Sequence, residues 1–234
     1  QSFINSENNK SILANSSPVV IWANASGANA GFINFRGIVS TTFSPAASSS
    51  VGGPIFFGGG ASGNPLNYGG AVLESPAGAA HSSPSSPTLP GIRISGSSIV
   101  SGEGVIRIAG TFTGAGTDTF AHGVDLTTTT ISATSGLIDI TGTTATGGRG
   151  LSLQPGTRIQ TTTGDINLRG YQNSVASNNT WGGISSRDAR ILSSTGNIEL
   201  LGSKSVDVND DYPGIFLENT TVASNGDLRF TSQG

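Results

Sequence analysis

Cysteine and methionine are both missing from the 234-residue chain. A small secreted domain would ordinarily carry disulfides, so this one must be held by backbone ladders and an apolar core instead. Position 1 is Gln1, so the chain is expected to start after processing or to be a segment of something longer. Charge is sparse. Only 11% of residues are Asp, Glu, Lys or Arg, the net charge is −3, and no basic patch invites nucleic acid. The two histidines, His81 and His122, stand apart in the sequence and suggest neither a metal site nor a catalytic triad. No apolar run approaches the ~18–20 residues of a membrane span, and no signal peptide is visible.

What is present is glycine (35 residues), serine, threonine, isoleucine and valine, with few strong helix formers. That mixture reads as strands joined by tight turns. Disordered chains combine low hydrophobicity with high net charge. Here 35% of residues are hydrophobic, and they fall on a fixed pattern.

The pattern is an internal repeat, legible from Gly91 to the end. Each repeat opens on a glycine and an aliphatic residue: Gly91-Ile92, Gly123-Val124, Gly150-Leu151, Gly183-Ile184 and Gly214-Ile215, spaced 32, 27, 33 and 31 residues apart. Eight or nine residues later comes a single aliphatic: Ile99, Ile131, Ile159, Ile191 and Val222. A second glycine follows, at Gly104, Gly136, Gly164, Gly196 and Gly226. Two and four residues beyond it stand Ile106/Ile108, Ile138/Ile140, Ile166/Leu168, Ile198/Leu200 and Leu228/Phe230. A third glycine closes the block at Gly110, Gly142, Gly170 and Gly202, with Ser232 in the fifth repeat.

Period-2 spacing marks strands with one buried face. Three short strands per repeat, broken by glycine turns, describe one coil of an all-β, parallel β-solenoid with coils of about 27–33 residues. Stacked coils put equivalent side chains in ladders ~4.8 Å apart. Each buried aliphatic contributes ~1.5–3 kcal/mol, so one coil alone is not stable and several stacked coils are. Between the paired apolar residues lie Arg107, Asp139, Asn167, Glu199 and Arg229, polar as an outward face requires. Arg107 beside Asp139 and Glu199 beside Arg229 put opposite charges on neighbouring rungs. Repeat length varies between the third glycine and the next anchor. Insertions are therefore expected at one corner, carrying Phe112, Phe120, Tyr171, Trp181, Asp207, Asp210, Asp211 and Tyr212.

Near the start, Gly31-Phe-Ile-Asn-Phe-Arg-Gly37 matches Gly164-Asp-Ile-Asn-Leu-Arg-Gly170, which predicts the same third strand there. With the apolar run Val19–Ala23 before it, one or more N-terminal coils are expected over 1–37. From Ile38 to Pro90 the rhythm breaks: these 53 residues carry one charged side chain, Glu74, and seven of the ten prolines. A Gly/Pro/Ser-rich irregular insertion is expected over 38–90, one or two irregular coils plus an excursion, ahead of five regular coils over 91–234. The segment reads either as flexible low-complexity chain or as an interaction element. Ile55, Phe56 and Phe57 are too apolar to stand in water without a partner, which would be the solenoid's own flank or another subunit.

The repeat Gly-aliphatic-x-aliphatic, Ile-x-Ser/Thr, Gly-x-Ile-x-Leu-x-Gly, with the early Val19–Ala23 strand, resembles the filamentous-haemagglutinin-type exoproteins of bacterial two-partner secretion. The resemblance covers about 150 to 180 residues. It implies a long right-handed parallel β-helix, exported through a dedicated outer-membrane transporter, and secreted or held at the bacterial cell surface. Such proteins act as adhesins, filaments or matrix components. The family's amino-terminal secretion domain is not evident in this sequence.

Parallel β-helices also host polysaccharide lyases and hydrolases, which need clustered carboxylates as a calcium cage or an acid–base pair. The best cluster is Asp207, Asn209, Asp210 and Asp211, which reads as a polar turn ahead of Tyr212-Pro213-Gly214 or as a weak calcium site. No carboxylate pair recurs on adjacent coils, so no enzyme and no cofactor is expected. The chain stops just after the third strand of its fifth repeat, with no polar cap following. That predicts continuation into further coils or head-to-tail self-association into a filament. Phe112, Tyr171, Trp181 and Tyr212 are the expected contacts for a glycan or surface receptor. The alternative reading is a β-helix that binds or cleaves polysaccharide.

Overall fold

The computed structural model describes residues 4–5, 10–23, 32–42, 52–62, 66–68, 71–73, 76–78, 80–81, 90–113, 122–145, 148–173, 182–205 and 213–233. All regular structure among them is β. The chain visits three sheets in turn and returns one rung further along, which makes a parallel β-solenoid with three strands per coil. The first wall has seven strands, among them Ile33–Phe35, Ile92–Ser95, Val124–Thr127, Leu151–Leu153, Ile184–Arg187 and Ile215–Glu218. The second wall, also of seven, includes Gly37–Ser40, Ser98–Val100, Thr130–Ala133, Arg158–Thr161, Arg190–Ser193 and Thr221–Ala223. The third wall runs from Val19–Ala23 through Ile55–Ser62, Ile106–Phe112, Ile138–Thr144, Ile166–Gln172 and Ile198–Lys204 to Leu228–Gln233. Two short strands extend it: Ala80–His81 pairs parallel with Ile106–Phe112, and Pro76–Gly78 pairs antiparallel with Ile55–Ser62.

The register is the one the repeat spacing requires. Ile99, Ile131, Ile159, Ile191 and Val222 pair rung to rung in the second wall, and Val39 continues the ladder. Ile106, Ile138, Ile166, Ile198 and Leu228 do so in the third wall, preceded by Val19 and Ile55. Inward side chains of all three walls merge into one continuous aliphatic core. Outside, the Arg107 Nε lies 3.4 Å from an Asp139 carboxylate oxygen, and Arg169 meets the same carboxylate at 2.7 Å from the next rung. The Arg229–Glu199 pair is looser, at 3.9 Å.

The corners have chemical reasons. Between the first and second walls a buried hydroxyl recurs at Ser97, Thr129 and Thr157. The Thr129 hydroxyl donates to Ile94 O on the rung before (3.0 Å), and Thr157 donates to Leu126 O (3.0 Å). Between the second and third walls, Gly104, Gly136, Gly164 and Gly196 stack so closely that a Cβ on Gly136 would lie 1.9 Å from Gly104 O. Hydroxyls tie this corner too: Ser193 donates to Gly164 O (3.2 Å) and accepts from Gly196 N–H (2.9 Å).

One expectation is corrected and one open alternative is decided. Ile33–Phe35 is a first-wall strand, paired with Ile92–Ile94, and not a third-wall strand. Both strand types alternate apolar residues at period 2 after a glycine, starting one residue after it in the first wall (Gly91-Ile92) and two after it in the third (Gly104 to Ile106); Gly31-Phe32-Ile33 has the third-wall spacing, so the pattern misleads here. Of the two partners expected for Ile55, Phe56 and Phe57, the solenoid's own flank or another subunit, the burial of these residues fits the first. Ile55 and Phe57 are core residues, the Phe57 ring meets Phe35 edge-on at 5.5 Å, and outward-placed Phe56 is only 4% exposed. Their partner is the solenoid itself. Within 38–90, Gly37–Ser40 and Ile55–Ser62 supply second- and third-wall strands, and the excursion beyond them holds the antiparallel pair Leu66–Tyr68 and Ala71–Leu73.

Candidate functional site

On the outside of the first wall, alternation sets two ladders of outward side chains. Arg93, Asp125 and Ser152 occupy one, and Ser95 pairs with Thr127 in the other. Arg36 follows the strand Ile33–Phe35 and donates from Nε to Ser95 Oγ at 3.0 Å. His122 and Arg149 each stand immediately before an anchor glycine, so the coil repeat brings them side by side: the Arg149 backbone N–H donates to His122 Nδ1 at 3.3 Å. All of these but Ser152, with Thr128, Gln154 and Pro155, line a half-open cleft of about 650 Å³.

Three guanidinium groups and one carboxylate share this cleft. The Arg93 Nε meets Asp125 Oδ2 at 3.2 Å. Arg149 Nη1 and Gln154 Nε2 both donate to Ser152 Oγ, at 3.4 and 2.7 Å. Burial raises the Asp125 carboxyl above its ordinary range, against the pull of Arg93, Arg149 and Ser152. Its Oδ1 is buried with no hydrogen-bond partner among the described residues. Burial likewise lowers the Arg149 guanidinium, Asp125 opposes that, and the charge of Arg187 adds to it. An arginine stays protonated regardless. His122 is 1% exposed, and burial, helped by the charges of Arg149 and Arg93, pushes its pKa down to about 3. Its imidazole is therefore neutral near pH 7. With Nδ1 accepting, the proton sits on Nε2.

A general acid or base works best with a pKa near the operating pH, and His122 lies far below it. The arrangement instead suits attraction of an oxyanion, because guanidinium forks match carboxylate, phosphate and sulfate oxygens. Sequence reasoning left this cluster unread. The available signal was positional: Arg93 and Asp125 are equivalent on adjacent coils, as are His122 and Arg149.

The side chains expected to make contacts are scattered. Phe112 is fully buried, two residues past Gly110 on an inward position of the third wall, and so is not a surface contact. Tyr171 is half-buried on the outside of the third wall, between Thr143 and Ser203. Trp181, Tyr212 and the calcium candidates Asp207, Asn209, Asp210 and Asp211 lie outside the described residues. Among the described residues, no group of three or more His, Asp or Glu side chains could hold a metal ion. In the last rung, inward positions are open, with Leu228 44% and Phe230 48% exposed. The chain matches no protein-family model, no curated protein and no solved structure.

Proposed function

We propose that this chain is a structural or adhesive component of a bacterial cell surface or extracellular filament, working as a stiff rod that presents side chains along its walls. The supporting observation is the continuity of the ladders. Ile99, Ile106, Ile131, Ile138, Ile159, Ile166, Ile191 and Ile198 repeat the same inward positions coil after coil, each at most 1% exposed. Seven rungs at ~4.8 Å make a segment roughly 30 Å long. Such a stack resists bending because the strands of all three walls are hydrogen-bonded from rung to rung. Self-association or continuation into further coils, export through an outer-membrane transporter, and contact with a glycan or receptor belong to this reading.

The test is immuno-electron microscopy of the native material on intact cells and in the surrounding medium. Rods or fibres at the surface or outside, with an axial repeat near 4.8 Å, are the expected result. Label confined to the cell interior would overturn the proposal. The second reading, a polysaccharide-binding β-helix, draws its support from the arginine-lined cleft alone.

A further inference from the structure

We infer that Arg158 and Arg190, stacked on the outside of the second wall, form a binding site for one oxyanion group: a sulfate, a phosphate or a carboxylate. The site shares no side chain with the first-wall cleft. It stands whether the rod works inside or outside a cell.

Parallel pairing sets Thr130, Arg158, Arg190 and Thr221 in one outward ladder. In-register rungs lie ~4.8 Å apart, so two guanidinium side chains leave the wall from neighbouring rungs, and both are exposed. Elsewhere among the described strand pairs, charges that meet rung to rung are opposite: Arg93 with Asp125, Arg107 with Asp139, Arg187 with Glu218, and Glu199 with Arg229. At Arg158 and Arg190 two like charges meet, and like charges on neighbouring strands repel. No carboxylate of the wall offsets them, because none of its seven strands contains Asp or Glu. The carboxylates nearest in sequence are engaged at the corners. Asp188 accepts from Asn219 Nδ2, and Asp165 accepts from the Asn197 backbone N–H.

An oxyanion turns this repulsion into attraction. Guanidinium forks match the oxygens of carboxylate, phosphate and sulfate two at a time, and one anion set between two forks neutralises charge on both rungs. The Arg158 side chain is already held. Its Nε donates to Gln160 Oε1 on the same strand, which leaves its two Nη groups for a ligand. Among the described residues, neither those groups nor any nitrogen of Arg190 meets an acceptor. Arg158 and Gln160 also line, with Thr162, Ser194 and Asn225, a groove of about 390 Å³ at the corner between the second and third walls. That volume falls within the ~300–1,000 Å³ of ordinary ligand sites, so the groove has room for the group that carries the oxyanion.

The experiment follows the arginine Nε–H resonances of the whole chain by nuclear magnetic resonance. The probes are sulfate, inorganic phosphate, acetate and glucose 6-phosphate, with chloride at equal ionic strength as the control. The Arg158 and Arg190 resonances should shift saturably with at least one oxyanion and not with chloride. Arg158→Gln and Arg190→Gln should each weaken binding about tenfold, the usual worth of one charge-assisted contact. Arg190→Lys should weaken it less, because it keeps the charge and loses only the fork. Arg229→Gln on the third wall should leave it unchanged. Glucose 6-phosphate should bind at least as tightly as inorganic phosphate; weaker binding would overturn the part given to the groove. Urea unfolding of the wild type, the two Gln variants and their combination measures the coupling between the two arginines. That coupling should be repulsive in dilute chloride and attractive in saturating sulfate, whatever either substitution costs alone. No saturable shift, shifts that survive both substitutions, or a coupling that sulfate leaves unchanged would overturn the site.

Discussion

Thr128 turns a corner in a conformation that its branched side chain resists. Its φ is 49°, in the left-handed region, where a β-branched residue is a true outlier. Equivalent corners on other coils use Gly96 (57°), Gly156 (79°), Asp188 (48°) and Asn219 (47°), all residue types that reach this region more easily. The strain is held by the ladder: the Thr128 N–H donates to Pro155 O at 3.2 Å, as Gly96 N–H does to Thr127 O at 3.0 Å. Thr128→Asn should therefore stabilise the fold by about 1 kcal/mol, since left-handed backbone costs most L-residues ~1–2 kcal/mol. The check is a rise in denaturant midpoint at unchanged slope. A fall would mean that the long hydroxyl contact to Pro155 O, at 3.4 Å, outweighs the backbone strain. Only the glycines and the asparagine at this corner advertise a turn in the sequence. Nothing about threonine does, and nothing in Arg36, Arg93 or Arg149 read singly announces that a fold will gather them.

The elements are strands whose ends are set by glycine, but for two different reasons. The sequence reads every glycine as a turn. In the structure, Gly136 and its ladder partners are there because one coil's backbone lies against the next. A Cβ on Gly136 would sit 1.9 Å from Gly104 O and 2.7 Å from its carbon, with no flexible side chain to give way. At Gly96 nothing lies within 4 Å, and only the positive φ penalises a side chain. Gly136→Ala should cost at least about 3 kcal/mol, the upper range of overpacking. Gly96→Ala should cost about 1 kcal/mol from its backbone alone. Thermal unfolding of the two variants side by side measures the difference; equal losses would show that close approach between coils does not set this corner. The same shared vocabulary explains the misread strand at Ile33–Phe35. Period-2 apolar residues after a glycine mark the first and third walls alike, and Gly31-Phe32-Ile33 even has the third wall's glycine spacing. What separates them is the third strand's continuation past its closing glycine, seen in Gly110-Thr111-Phe112 and Gly170-Tyr171-Gln172, which run on in the pleat.

At the scale of the whole molecule, the fold was legible because ladders amplify a weak signal: one aliphatic every 27–33 residues means little once and a great deal five times. The stretch over 38–90 was less legible because its two coil strands are separated by chain of no fixed spacing. The same one-dimensional logic governs stability. Each coil touches only the coils before and after it, so stability is close to a sum over rungs and their interfaces. A residue deep in the stack is covered from both sides, as Ile131 is by Ile99 and Ile159, and is fully buried. Val222, in the same ladder of the 234-residue chain, is covered by Ile191 and only half-buried. Ile131→Ala should cost ~2–5 kcal/mol, as buried aliphatic truncations do. Val222→Ala should cost about 1 kcal/mol, because it removes less carbon from a site already in contact with water. Amide hydrogen exchange gives the independent readout. Protection should peak at Thr130–Ala133 and Ile138–Thr144 and decline towards Leu228–Gln233, whose inward side chains Leu228 and Phe230 are exposed. Uniform protection along all the rungs would mean that the rod unfolds as one cooperative unit, and the two substitutions should then lower the whole transition together, in proportion to the contacts each removes.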